Sequence, residues 1–543
     1  MSSASITSLS RRRRGGGADE ETTSEGRSPT GQSRSSGGDS GDNTSGSAGN
    51  EGSQKGGKLP LTGSEDANEE ESEKGLERTL SLGSGVAMIV GCIIGSGIWV
   101  SPTGVQAGAG SVGSSLIVWL ASGLWCGIGA YLYAELGAMI TKSGGEYIYL
   151  MEAFGPFIAF LRLWVESMVI RPTALTVKAL TFSLYILRPL YPSCDPPKGS
   201  TELLAITMIS VLCGINCWSV KAVAKLQNWF TIAKVVALIA VILTGLYFAI
   251  FGGPQYRDSY ENIFENNFRS IGSVVIGIYS GMFAYQGWAY LNSATEEVVN
   301  PTRNLPLAIM ISMSICTAVY VAFNAALYVV VTPDEMLINP AAAVIFSNKV
   351  YGKFNFIIPL CVSISTFGSS NGIIMMSSRL YFAGAREGHM PAILAMTNKH
   401  LHTPIPAVIL MSTVSIIYIF IGDVFVLINA SQVTALIAYI AVALALIWLR
   451  HKMPDAPRPV KVNLAFPVVF IIGSAILVVS SVQGAPKDTI LGLLILFTAV
   501  PAYIVFIAID HPHWYKKIFY SFTAFWQKMF LLVYDKESRH KKK

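Results

Sequence analysis

The strongest constraint on this chain is a dozen long runs almost free of charge, among them Ile117–Leu132, Val235–Phe251 and Leu307–Val331. Bilayer hydrocarbon is about 30 Å thick, so about 20 apolar residues cross it as a helix. A soluble fold with one core has no use for twelve such runs. They also explain why only 14% of the 543 residues are charged, against about 25% in soluble domains. The expected architecture is an all-α membrane protein. Its twelve transmembrane helices fall near 83–104, 114–138, 155–187, 202–219, 226–250, 272–292, 306–332, 354–384, 404–422, 425–449, 464–482 and 489–510. Residues 1–75 are rich in Ser, Gly, Thr and Glu and nearly free of aromatics. They cannot bury enough surface to offset chain entropy and read as a disordered tail. Residues 76–512 then form the helical domain and 513–543 a C-terminal tail.

Twelve spans place both tails on one side. With the N-terminus inside, the cytoplasmic loops and inner helix ends carry 11 Lys/Arg and the external loops and outer helix ends about seven. The bias predicts cytoplasmic termini. The Arg11–Arg14 run has no apolar stretch directly after it and is not a signal peptide. It reads as a solvated run that helps fix topology or touches anionic lipid. All seven His fall on the cytoplasmic side, which argues against a histidine proton relay at the membrane centre. The aromatic segment Trp514–Tyr534 reads as an amphipathic helix on the membrane surface.

Two spans carry glycine clusters. Span 1 reads Gly91-Cys92-Ile93-Ile94-Gly95-Ser96-Gly97-Ile98-Trp99, and span 6 reads Tyr279-Ser280-Gly281-Met282-Phe283-Ala284-Tyr285-Gln286-Gly287-Trp288. A glycine inside a helix costs roughly 1 kcal/mol relative to Ala, so clusters point to unwinding. Unwound backbone survives at membrane depth only where protein or a water-filled cavity satisfies it. Spans 1 and 6 head two five-helix sets, 1–5 and 6–10, the pattern of a five-plus-five inverted repeat with its ligand at the paired breaks. A half-helix N-terminus attracts an anion, and freed carbonyls accept an ammonium. A ligand carrying both on one carbon is an amino acid. The competing reading is that these glycines only let helices pack closely.

Gly95-Ser96-Gly97-Ile98-Trp99-Val100-Ser101-Pro102-Thr103-Gly104-Val105, Tyr133-Ala134-Glu135-Leu136-Gly137, Lys142-Ser143-Gly144-Gly145-Glu146-Tyr147, Thr295-Glu296-Glu297, Asn300-Pro301 and Arg386-Glu387-Gly388-His389 share order and spacing with one family. Over about residues 75–515 the chain resembles the L-type amino acid transporters. These are light subunits of heteromeric amino acid transporters in the amino acid–polyamine–organocation superfamily. The resemblance implies sodium-independent exchange of large neutral amino acids such as leucine at the plasma membrane. An internal membrane is not excluded. It also implies a single-span type II glycoprotein heavy chain as partner.

Cys194 is the one cysteine outside the spans, in the external loop between spans 3 and 4. A lone external cysteine points to an intermolecular disulfide or a free thiol; the family's light subunits use a cysteine in this loop for the bond to the heavy chain. None of the three large external loops carries an Asn-x-Ser/Thr sequon, and Asn429-Ala430-Ser431 lies inside span 10. By the same resemblance, Ile93, Gly95, Ser96 and Gly97 match the carboxylate-binding turn, and Phe283 the aromatic that gates the site. Ala284, Gln286 and Gly287 line the span 6 break, whose carbonyls take the ammonium. Lys234 in span 5 stands where sodium-coupled relatives hold an ion, so its ammonium replaces that ion; otherwise it snorkels toward the cytoplasm.

Several positions depart from the family pattern. Lys178 in span 3 falls where an apolar pocket residue is usual, and Leu436 in span 10 where some members place Trp. Gln286 stands for Gly or Asp, Ala289 for Asn, and Trp99 for Phe. An intramembrane Lys is a functional candidate by default; it favours acidic substrates, receives the substrate carboxylate or pairs within the bundle. Two alternatives therefore stand beside large-neutral exchange: an exchanger of acidic or other atypical amino acids, and an amino-acid-sensing receptor using the same pocket. No catalytic constellation, metal-ligand spacing or cofactor motif is visible, and no pore-lining charge pattern suggests a channel.

Overall fold

The computed structural model describes residues 78–191, 194, 196–265, 270–338, 342–420, 424–484, 486–509 and 512–534. The chain divides into two units, Met1–Leu61 and Thr62–Lys543, and every described residue lies in the second. The tail expected over residues 1–75, with Arg11–Arg14, lies outside the described residues, as do residues 535–543.

Span 1 is two helices, α1 (Leu82–Ile93) and α2 (Gly97–Ala109), bent by 48° at the glycine cluster. Span 2 is α3 (Val112–Met139). After a short α4 (Glu146–Phe154), span 3 runs as α5 (Pro156–Val165), a π-helical turn (Glu166–Ile170) and α6 (Arg171–Leu187). Pro172 lacks the N–H that a continuous α-helix needs, and a wide turn takes up the mismatch. Spans 4 and 5 are α7 (Ser200–Trp218) and α8 (Val220–Phe251). Span 6 begins as α9 (Ile271–Ala284) and stops there; a turn leads to a 3-10 stretch, Tyr290–Glu297. The expected helix to residue 292 is cut short because Gly287 adopts φ +116°, which no helix accommodates.

Span 7 is α10 (Pro301–Val330), followed by the short α11 (Pro333–Ile338) and α12 (Ala342–Val350), which the hydrophobic pattern did not show. Spans 8 to 12 are α13 (Ile357–Arg386), α14 (Ile405–Ile419), α15 (Val424–Lys452), α16 (Ala465–Gly484) and α17 (Pro486–Tyr503). Among the described residues, eight helices are long and apolar enough to cross a membrane alone, nine with the bent pair. The other three expected spans are the interrupted spans 3 and 6 and the 15-residue α14. Helix α18 (His513–Met529) exposes Trp514, Ile518, Phe522 and Phe525, in keeping with the amphipathic reading. Beyond it β2 (Leu532–Tyr534) pairs antiparallel with β1 (Met396–Asn398).

Helix starts follow their serines. Ser81, Ser111, Ser219 and Ser270 each accept the N–H three residues on, at the starts of α1, α3, α8 and α9. Small residues set the central packing. The half-helices α2 and α9 run antiparallel, with Gly97 against Ala284, Gly104 against Ser280 and Gly108 against Gly277. A Cβ on Gly108 would lie 2.5 Å from the Cα of Gly277, so the seam closes only with glycine there. Helix α10 packs on α1, α3 and α8, and α13 packs on α6 and α8. The core therefore centres on the span 1 break. The outward face of α8 exposes Trp229, Ile232, Val236, Leu243 and Ile250, as a bilayer-facing helix does.

Candidate functional site

Between Ile93 and Gly97 the chain leaves the helical ladder. Ile94 takes ψ 89°, and the last α1 bond is donated by its N–H to Val90 O. The glycines let neighbours close in from every side. A Cβ on Gly95 would meet Ser369 Oγ at 2.7 Å and Lys178 Nζ at 3.0 Å; one on Gly97 would lie 2.5 Å from the Cα of Ala284. One on Gly287 would sit 3.2 Å from the backbone of Cys92. The two breaks thus touch each other at two places, Gly97 on Ala284 and Gly287 on Cys92. Close packing and unwinding, set against each other in the sequence, occur together.

The freed carbonyls of span 1 are met by side chains. Lys234 Nζ donates to Gly91 O at 2.7 Å and Ile94 O at 2.9 Å. Lys178 Nζ donates to Cys92 O at 3.3 Å. The Tyr320 hydroxyl lies 3.0 Å from Ile93 O and 3.1 Å from Ala284 O, and so bridges both breaks. Ser365 Oγ makes longer contacts with Ile94 O and Gly95 O. Lys234 is fully buried and does not snorkel. Its ammonium stands at the C-terminal end of α1, where carbonyl dipoles gather.

The N–H groups on the other side of the break are open. Among the described residues, none of the four from Gly95 to Ile98 donates to an acceptor, and Ser96 Oγ is buried without a partner. They head α2, a 13-residue helix. Unpaired donors at a helix N-terminus are the arrangement that attracts an anion, and we refer to these four as the cradle.

Ile93, Gly95, Ser96, Gly97, Ala284, Gly287, Lys178 and Lys234 come together here. Phe283, just before the turn, is nearly buried, and its carbonyl accepts the Gln286 N–H at 3.1 Å. Gln286 is half-buried in the same turn. Leu436 is fully buried in α15 within the apolar core, and Trp99 stacks edge-on against Phe323 at 5.2 Å. Ala289 instead lines a small polar cavity with Glu146, Arg162, Glu166 and Arg171. Cys194 is the only exposed cysteine of the seven.

Residue-by-residue reading of the sequence missed Tyr320, Ser365 and Ser369. The run Ser363-Ile364-Ser365-Thr366-Phe367-Gly368-Ser369-Ser370-Asn371 was the available signal, a polar stripe within a span that has to face protein. Toward the α4 end of the bundle five carboxylates pair with arginines. The pairs are Glu135–Arg450 (2.5 Å), Glu146–Arg162 (2.6 Å), Glu296–Arg386 (3.0 Å) and Glu297–Arg379 (2.6 Å). Glu166 joins Arg162 to Arg171 across the π turn. The set ties α3, α4, α5, α6, α13, α15 and the 3-10 stretch together.

A family model described as amino acid permease matches residues 80–532. The chain is 42% identical over 482 residues to the large neutral amino acids transporter small subunit 2 of Mus musculus, covering 88% of this chain and 91% of that one. It is 41% identical over 462 residues to the cystine/glutamate transporter of Homo sapiens (85% and 91% covered). To the Asc-type amino acid transporter 1 of Mus musculus it is 38% identical over 467 residues (85% and 88%). On the extent of these matches, together with the broken span and its open N–H groups, the chain belongs to the amino acid permease family, in its L-type transporter branch.

Proposed function

We propose that this protein exchanges amino acids across a membrane by alternating access, with large neutral amino acids such as leucine as its substrates. The observation that carries the reading is the meeting of the two breaks beside four unpaired N–H groups, Gly95 to Ile98. The carboxylate binds that cradle and the ammonium binds carbonyls of the Phe283–Gly287 turn, while Phe283 covers the substrate. Exchange is sodium-independent: the Lys234 ammonium, on Gly91 O and Ile94 O, stands as a fixed cation at the break. The protein acts at the plasma membrane with both termini cytoplasmic, as a light subunit joined through Cys194 to a type II glycoprotein heavy chain.

A second reading, exchange of acidic amino acids, is favoured by the near-equal identity to a cystine/glutamate transporter. Counterflow of radiolabelled leucine into proteoliposomes, with choline replacing sodium, tests both. Leucine-loaded vesicles should accumulate label, and unlabelled leucine should compete where glutamate does not. Competition by glutamate alone establishes the acidic reading; binding without counterflow overturns transport.

A further inference from the structure

Two ammonium groups, Lys178 and Lys234, are buried at the span 1 break, and among the described residues neither has a carboxylate partner. The buried carboxylates Glu135, Glu166 and Glu297 are taken by arginines at the α4 end of the bundle. The two lysines are not equivalent. Lys234 is held by two short bonds, whereas Lys178 has one of 3.3 Å. An ammonium carries three donors, so at least two of those on Lys178 are uncommitted. A buried charge in a membrane protein is costly unless paired or functional. The position of Lys178 says what would pair with it. Its Nζ would lie 3.0 Å from a Cβ on Gly95, the residue whose N–H is the first of the four open donors.

We infer that Lys178 is a specificity-determining residue of this site: its ammonium donates to the substrate carboxylate seated on the Gly95–Ile98 N–H groups, so an ionised carboxylate is required for recognition. The inference rests on the transport reading above. Cys92 O holds the lysine in place while the cradle is empty. When substrate binds, the backbone donors and the ammonium converge on one carboxylate, adding an ion pair to the bonds from the uncharged backbone donors. The substrate ammonium is repelled from this corner toward the Phe283–Gly287 turn, which fixes its orientation. A carboxylate on the substrate side chain is the competing partner for Lys178; the nearness of its Nζ to where a Cβ on Gly95 would stand places the lysine beside the cradle instead.

The test compares leucine with leucinamide, which keeps the side chain and the ammonium but lacks the carboxylate. Both compete for exchange by the full-length chain in proteoliposomes, with glutamate and isoglutamine as a second pair. Wild type should prefer leucine to leucinamide and, under the acidic reading, glutamate to isoglutamine. In Lys178→Met the half-inhibitory concentration of leucine should rise about tenfold or more while that of leucinamide stays put, and Lys178→Arg should keep the preference. An unchanged acid-to-amide ratio in Lys178→Met makes the lysine a structural clamp and overturns the inference. Loss of glutamate recognition alone, with leucine intact, assigns Lys178 to the side chain and also overturns it. Should Lys178→Met fail to fold, purified wild type decides: leucine should raise its melting temperature and leucinamide should not, and equal stabilisation by both is fatal. A wild type that exchanges neither leucine nor glutamate sinks the transport reading itself.

Discussion

Five consecutive carbonyls, Gly91 to Gly95, lose their α-helical donors where span 1 breaks, and side chains from spans 3, 5, 7 and 8 meet them. An unsatisfied buried carbonyl costs roughly 1–3 kcal/mol, so these side chains decide whether the break can exist. Lys234 contributes most because it alone makes two short bonds there. Lys234→Met keeps the length and apolar stem but removes both donors. Gly91 O is then stranded, and Ile94 O keeps only the long Ser365 contact. The expected outcome is exchange below about a tenth of wild type, since a loss of 1.4 kcal/mol already means tenfold. Surface abundance, read by biotinylation, should be retained. Wild-type exchange by that variant would show that the ammonium does not organise the break.

At the scale of elements, the twelve spans were legible because apolar runs of about 20 residues have few other uses. The two breaks were legible because glycine clusters are costly in helices. What stayed hidden has physical reasons. Helices buried in a bundle are apolar on most faces, so one sequence does not fix rotation, and the aim of Lys178 at Cys92 O could not be read. Helices α4, α11 and α12 are nine residues or fewer, too short to show a membrane period. The partners of the buried carboxylates could not be read either, because they lie far along the chain, as in Arg379 with Glu297. That pair is bidentate, with side chains 3% and 1% exposed. Glu297→Gln leaves a buried guanidinium without its counter-ion, a change that costs about 3–5 kcal/mol in other buried pairs. The variant should melt well below wild type in detergent. Adding Arg379→Met, which removes the stranded charge, should recover part of the loss. Equal melting of the single variant and wild type would mean that this pair does not hold these elements together.

The whole molecule has two ends of different character. One end carries the arginine–carboxylate pairs, and both described chain termini are tied into it. Thr79 and Leu80 donate to Glu297 O, and β2 near the C-terminus pairs with β1. An even number of spans demands that shared side, and the Lys/Arg bias of the loops is the ground on which we propose that it is cytoplasmic. Span 3 starts from this end with its Arg162–Glu166–Arg171 cluster and delivers Cys194 to the opposite one. On the proposed orientation the exposed thiol of Cys194 faces an oxidising compartment. The other six cysteines are buried or half-buried within helices, so the proposed bond to a second chain is assigned to Cys194. Expressed with its partner and run without reductant, the protein should migrate as a larger species that collapses to the single chain on reduction. Cys194→Ser should abolish that species, while Cys213→Ser and Cys361→Ser should leave it unchanged. Persistence of the larger species in Cys194→Ser would place the covalent contact elsewhere. Its absence from wild type would leave the association of the two chains to non-covalent packing alone.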